Sequence, residues 1–394
     1  MLCRFALTAV SWCLPLACGW PVPGIAAEPD ADDVYTREEL PPVFVQDEPH
    51  RRTIVLVGDI MPWDRSRANL EKHGPGYPYA ATRDLLWHAD LAVGNLEGPV
   101  ATRAEPTKGT YRYKIPPSVL PGLRDSGLDL LSLANNHVMD CGDAGLRETL
   151  DYLREASLSG FGAGRNQAEA CAPVIVRIGD TRVAFVAALC PETYFDDWEA
   201  QDAGDYERYL GSMQRILAAA PDDPGTVVAT PASVAWLVRN AAAQADVVVA
   251  CLHFGIRYSR PPTPRQRRLA QIAVQAGADL VVGHHAHVWQ PVEVFQGVPI
   301  LYGLGNFAFG SANRRADEGL LARATLVDHR LAGVEFFPLC TKNRDPDVDY
   351  QSKVFEEKAA REVVGELARL SRPFRADIRF AAGRGVLVLP ERRP

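Results

Sequence analysis

Six residues with metal-binding side chains share one habit of placement. Asp59, Glu97, Asn136, His253, His285 and His287 all follow short apolar runs. They offer oxygen and nitrogen donors of intermediate hardness, a set that suits Mn, Fe or Zn better than Ca. Five of the nine histidines (137, 253, 284, 285 and 287) fall in these clusters, a concentration that scattered surface histidines would not show. His285 and His287 occupy alternate positions, so both can reach one metal centre, whereas His284 reads as a supporting residue. His137 follows Asn136 and stands three residues before Asp140. An imidazole there can donate a proton near neutral pH, with Asp140 accepting the other ring proton. Plainer roles stay open at each position. Asp59 can be a turn residue, Glu97 a capping or salt-bridged carboxylate, and Asn135 and Asn136 turn hydrogen-bonders.

Six apolar runs must position these groups: 53–57, 91–93, 130–134, 247–252, 280–282 and 300–302. Each ends in glycine or a polar cluster. Short β-rich runs without alternation suit strands buried on both faces. Residues 143–155 read as a helix opened by Asp143, with Leu146, Leu150 and Leu153 on its apolar side. Thr263-Pro264 opens a second helix over 263–276, with Leu269, Ile272 and Ala273 on one face. Residues 174–178 and 182–188 form a strand pair around Gly179-Asp180. The acidic stretch 192–230 reads as an irregular insertion near the site. After Ala332 the pattern gives one strand, a helix near 354–370 and a final strand near 385–390. This is an α/β pattern, and open α/β sheets bind ligands beyond the carboxyl ends of their strands.

The motifs Gly58-Asp59, Gly94-Asn95-Leu96-Glu97-Gly98, Ala134-Asn135-Asn136-His137, His253-Phe254-Gly255, Gly283-His284-His285-Ala286-His287 and Leu304-Gly305-Asn306-Phe307 occur in one order. In that order they resemble the CapA family of bacterial capsule and poly-γ-glutamate synthesis proteins, over residues 53–340. That family looks like a branch of the calcineurin-like metallophosphatases. The resemblance implies a metallophosphatase-like α/β fold: a layered sheet core flanked by helices, with the metal site at the strand carboxyl ends. It also implies one or two divalent ions. Asp59 would bind one, Glu97 would bridge, Asn136 would bind the other, and His253, His285 and His287 would complete the site. His137 would be the general acid. Sites with two metals activate water and stabilise the displacement. The chain departs from the superfamily pattern at Met61, where a histidine is usual, and at Glu97, where the usual residue is aspartate.

The role implied by the resemblance is capsule or poly-γ-glutamate biosynthesis. Its partners would be an anionic polymer, such as poly-γ-glutamate or a capsule precursor, and capsule synthase or export proteins. Two rival readings are a metal-dependent phosphoesterase hydrolase acting on an envelope substrate, and a polymer-binding protein built on a degraded site. Arg257 (in a run with Arg260, Arg265, Arg267 and Arg268), Arg112 beside Tyr111 and Tyr113, and Asn306 are candidate substrate contacts. A guanidinium fork suits carboxylate or phosphate.

Composition adds boundaries. The 394 residues are 47% hydrophobic and 23% charged, an ordinary globular balance. The net charge of −7 gives no global basic character, so no nucleic-acid partner is expected. Arg4, the apolar run 5–20 and the small residues 24–27 have the order of a secretory signal peptide. The run is shorter than the ~20 residues a spanning helix needs. The expected organisation is a signal peptide over 1–27, a linker over 28–50, the metallophosphatase-like domain over 51–340, and an extension over 341–394 that completes it. Export to the periplasm, the cell envelope or the medium follows, with a lipid anchor at Cys18 as the poorer alternative because Pro15 sits where an aliphatic is wanted. Five cysteines lie beyond the leader without a CxxC pair, which argues against a cysteine metal site. Cys190 and Cys251 are expected to be buried thiols.

Overall fold

Successive residues of one strand enter two different cores. Thr181–Leu189 sends Val183, Phe185, Ala187 and Leu189 into one apolar cluster, and Ala184, Val186 and Ala188 into another. Val247–His253 does the same, with Val247, Val249 and Cys251 on one side and Val248, Ala250 and Leu252 on the other. Both faces are buried, so these runs show no polar alternation. The computed structural model describes residues 34–36, 51–107, 112–194 and 218–389. The leader expected over 1–27, Tyr111 and most of the insertion expected over 192–230 lie outside them. So does the expected linker, apart from Val34–Thr36, which pairs in parallel with Val174–Ile178.

These strands belong to a seven-stranded sheet in the order Val34–Thr36, Val174–Ile178, Thr181–Leu189, Val247–His253, Leu280–His284, Val298–Leu301, Val292–Phe295. Helices Pro231–Ala242 and Pro264–Ala276 cover one face through Val234, Leu237, Val238, Leu269, Ala270 and Ala273. Each helix starts with a capping box and an early proline, at Thr230 with Ser233 and at Thr263 with Gln266. The other face shares its core with a second sheet. In that sheet Arg51–Met61, Leu91–Leu96, Leu130–Ser132 and Ser159–Phe161 run parallel in this order. Glu318–Val327 pairs antiparallel beside Arg51–Met61, and Arg330–Cys340 continues the sheet. Helices Gly142–Glu155 and Glu357–Ser371 add Leu146, Leu153, Val363, Val364 and Leu367 to the same core. Among the described residues no helix is long and apolar enough to cross a membrane.

All six apolar runs are strands. Two differences matter. Glu318–Val327 and the helix Pro231–Ala242 are present where the sequence reading placed none. Moreover, Arg51–Met61 does not stop before Gly58-Asp59 but carries both inside it. The pairing with Leu91–Leu96 shifts register between Leu56 and Asp59, and the Asp59 N–H donates to Gly305 O at 3.0 Å. At Gly58 a Cβ would lie 1.8 Å from Gly305 O, so only glycine fits this crossing. Gly58→Ala is therefore expected to destabilise the protein by about 1–3 kcal/mol through overpacking. An unchanged denaturation midpoint would show that the crossing is looser than described.

Candidate metal centre

Two sheets deliver donors to one crevice. Within the sheet that contains Arg51–Met61, Asp59 lies level with Asn95 on one neighbouring strand and with Asn306 on the other. Glu97 follows Leu91–Leu96, and its N–H is fixed on Ile60 O at 2.8 Å. Asn135, Asn136 and His137 follow Leu130–Ser132 by a few residues. From the seven-stranded sheet, His253 and His284 end adjacent parallel strands and are paired in register. The chain then turns through His285 and His287 at φ +92° and +57°, a left-handed conformation rarely taken by residues other than glycine. Such outliers gather at functional sites. The turn separates the histidines. His284 Nε2 lies 3.3 Å from Val57 O, while His285 and His287 face the crevice.

The donor atoms converge. One oxygen or nitrogen from each of Glu97, His253 and His285 lies within 4.8 Å of the others, and the same holds for Asp59, Glu97 and His287. Glu97 is common to both groups. Its Oε1 lies 3.7 Å from His287 Nε2 and 4.0 Å from His253 Nε2. Asn136 Oδ1 lies 2.9 Å from His253 Nε2. His287 Nδ1 faces both Asn306 Oδ1 at 2.9 Å and Asp59 Oδ2 at 3.2 Å. Two acceptors on Nδ1 assign the ring proton there and leave the Nε2 lone pair toward Glu97. Met61 is buried and contributes no oxygen or nitrogen donor.

Among the described residues neither carboxyl oxygen of Glu97 has a hydrogen-bond partner, and the residue is fully buried. Burial, followed by the charges of Asp59 and Asp140, pushes its carboxyl well above the usual range, with Arg257 opposing. Burial and the neighbouring imidazoles push His253 and His285 well below the usual histidine value. Asp59 differs: burial works against its ionisation, but the hydrogen bond and charge of His287 hold it below its ordinary value. Neutral imidazoles beside an unpartnered carboxylate lack positive charge. A divalent cation would supply it, and the donor types fit Mn, Fe or Zn.

His137 stands at the edge, 12% exposed, with Nε2 4.0 Å from Glu97 Oε1. Its Nδ1 lies 2.8 Å from Asp140 Oδ2. Asp140 is fully buried and also accepts from Arg112 Nη1 at 2.9 Å and from the Tyr113 N–H at 2.7 Å. Arg112, a candidate substrate contact on sequence, is thus bound to the carboxylate behind His137. The arginine run divides similarly. Arg260 pairs with Glu318, Arg265 with Glu192 and Arg267 with Glu293, while Arg257 acts electrostatically on Glu97 and His285. Asn306 meets His287 directly. The sequence reading gave no role to Asn95, whose amide reaches Asp59. Asn95 and Glu97 are two apart, and the period of an extended chain puts such residues on one face. That was the available signal. All five cysteines beyond residue 27 are unpaired, and Cys190 and Cys251 are buried as expected.

A pair of facing sheets with oxygen and nitrogen donors at the carboxyl ends of their parallel strands defines a metallophosphatase-like protein. The family model described as "Bacterial capsule synthesis protein PGA_cap" matches residues 53–311, more than half of the chain, and the chain belongs to that family. It is 28% identical over 310 residues to the "Capsule biosynthesis protein CapA" of Bacillus anthracis, covering 76% of this chain and 70% of the relative. Similarity to the "PGA biosynthesis protein CapA" of Bacillus subtilis (strain 168) is also 28%, over 287 residues, covering 72% and 70%. A "Probable polyglutamine synthesis accessory protein" of Mycobacterium tuberculosis is 26% identical over 294 residues, covering 73% and 68%.

Proposed function

We propose that the protein acts outside the cytoplasm in the synthesis of an anionic envelope polymer of the capsule or poly-γ-glutamate class, through a divalent-metal centre. The observation that carries this reading is Glu97. A fully buried carboxyl with no hydrogen-bond partner among the described residues, facing three imidazoles, ionises there only at a cost that a bound cation would offset. The family and the printed roles of its relatives supply the biological setting. The order of charged start, apolar run and small residues over 1–27 supports export.

Glu97 would be shared between two positions. Asn136, His253 and His285 flank one, and Asp59 and His287 flank the other. One or two ions, Mn, Fe or Zn, would be held. A cation bound there supplies Lewis-acid charge to an oxygen of the substrate. The chain's own groups do the rest. His253 and His285, held neutral, keep their lone pairs available. Arg257 adds positive potential that attracts an anionic group. His137 holds a proton at Nε2 near the crevice mouth, oriented by Asp140. This His137–Asp140 pair favours a second reading, a phosphoesterase in which His137 protonates the leaving oxygen.

Deletion of the gene in its native host, followed by measurement of surface anionic polymer, tests the role. Polymer should be lost, then restored by the wild-type gene but not by Glu97→Gln or by a version lacking residues 1–27. Unchanged polymer after deletion, or full rescue by either altered gene, contradicts the proposal.

A further inference from the structure

Three side-chain amides and carboxylates run in a line from the chain before His137 to Asp59. Asn135 is fully buried, and backbone groups fix both ends of its carboxamide. Its Nδ2 donates to Leu96 O at 2.7 Å, and its Oδ1 accepts from the His137 N–H at 3.2 Å. A donor on one side and a carbonyl on the other leave a single orientation for this amide. Asn135 Nδ2 also donates to Asn95 Oδ1 at 3.2 Å. That contact orients Asn95 in turn, so its Nδ2 faces Asp59 Oδ1 at 2.9 Å. Oδ1 is thereby occupied, and Oδ2 is turned toward His287 Nδ1 at 3.2 Å and the His285 N–H at 3.3 Å. Asn95 Nδ2 also lies 3.5 Å from His253 Nδ1, across the gap between the sheets.

We infer that Asn95 is a positioning residue for the metal centre: its amide, locked by Asn135, fixes the rotation of the Asp59 carboxylate so that one chosen oxygen faces the crevice. The inference rests on the reading that this crevice holds a divalent cation. Without the amide, Oδ1 loses the donor that Asn95 gives it, and the orientation of the carboxylate rests on the two longer contacts at Oδ2. Groups that orient metal ligands in this way typically contribute 10–100-fold to metal affinity. Asn95 is fully buried, so its role could instead be limited to stability. The two roles separate experimentally.

The test is a Mn²⁺ titration of the full chain after chelation and dialysis, read by competition with a metal-sensitive dye, together with the visible spectrum of the Co²⁺-loaded protein. Wild type, Asn95→Ala and Asn135→Ala are compared, each with its thermal unfolding curve. Asn95→Ala should bind Mn²⁺ about 10–100-fold more weakly and alter the Co²⁺ bands, and Asn135→Ala should shift both in the same direction by less. If Asn95→Ala does not fold, Asn135→Ala decides the matter, because Asn95 is then present but unlocked. A lower melting temperature with wild-type Mn²⁺ affinity and Co²⁺ bands overturns the inference while leaving the metal site in place. Failure of the wild type to bind Mn²⁺ or Co²⁺ overturns both.

Discussion

Glu97→Gln is expected to strip the protein of tightly held metal and, in the metal-free state, to make it more stable than wild type. Glu97 is the one donor common to both groups of potential ligands, so loss of its charge weakens both positions together. Glutamine keeps the shape of the side chain. Its amide offers two N–H donors to the imidazole lone pairs, where the protonated carboxyl that burial favours offers a single O–H. Both carboxyl oxygens lack partners among the described residues, and each unsatisfied buried polar group costs about 1–3 kcal/mol. The metal-free variant should therefore gain on the order of 1 kcal/mol, read as a higher unfolding midpoint after chelation. With metal added the order reverses: wild type gains about 2.7 kcal/mol at a metal concentration of 100 times Kd, and the variant gains little. A chelated variant that unfolds earlier than chelated wild type would mean that Glu97 is a structural group with partners of its own.

The second large effect separates His137 from the ligands. His137→Ala should retain metal and fold but lose hydrolysis of a generic phosphodiester by about 10²-fold or more, the usual contribution of a general acid. Its Nδ1 is committed to Asp140 at 2.8 Å, and although its Nε2 lies as far from Glu97 Oε1 as that of His253 does, 4.0 Å, it is a member of neither donor group. His285→Ala should instead shed metal, because its ring lies inside one group with Glu97 and His253. Equal metal loss in both variants would make His137 a ligand. Full hydrolysis by a metal-loaded His137→Ala protein would remove acid catalysis from the account.

Much of this site was legible because burial on both faces left plain marks. A strand such as Val247–His253 has no polar alternation to hide its end, so His253 stands out as the polar residue that closes it. The separation of His284 from His285 and His287 was legible from spacing, although the left-handed turn that produces it was not. What escaped the reading depends on distant chain segments. Asp59 lies inside its strand because Gly305, far along the sequence, crosses Gly58. Arg112 reads on sequence as a candidate substrate contact, but it pairs with Asp140, 28 residues away, a partner that no local pattern announces. The helix Pro231–Ala242 carried its own signal in Thr230-Pro231, masked by the irregular acidic stretch before it. Asn95 carries no local sign of its partners, Asp59 and Asn135, which lie 36 and 40 positions away along the chain.

The claim beneath all of this is that one crevice between two sheets holds a divalent ion on Asp59, Glu97, Asn136, His253, His285 and His287. Elemental analysis of the purified protein, before and after reconstitution with Mn, Fe or Zn, tests it most directly, since binding to such a site depends on deprotonated carboxylate and imidazole donors that a preformed fold brings together. The account predicts a stoichiometric ion that survives dialysis in wild type and is lost in both Glu97→Gln and His285→Ala. Trace metal only, with no saturable binding on reconstitution, or equal metal in wild type and the two variants, would contradict it.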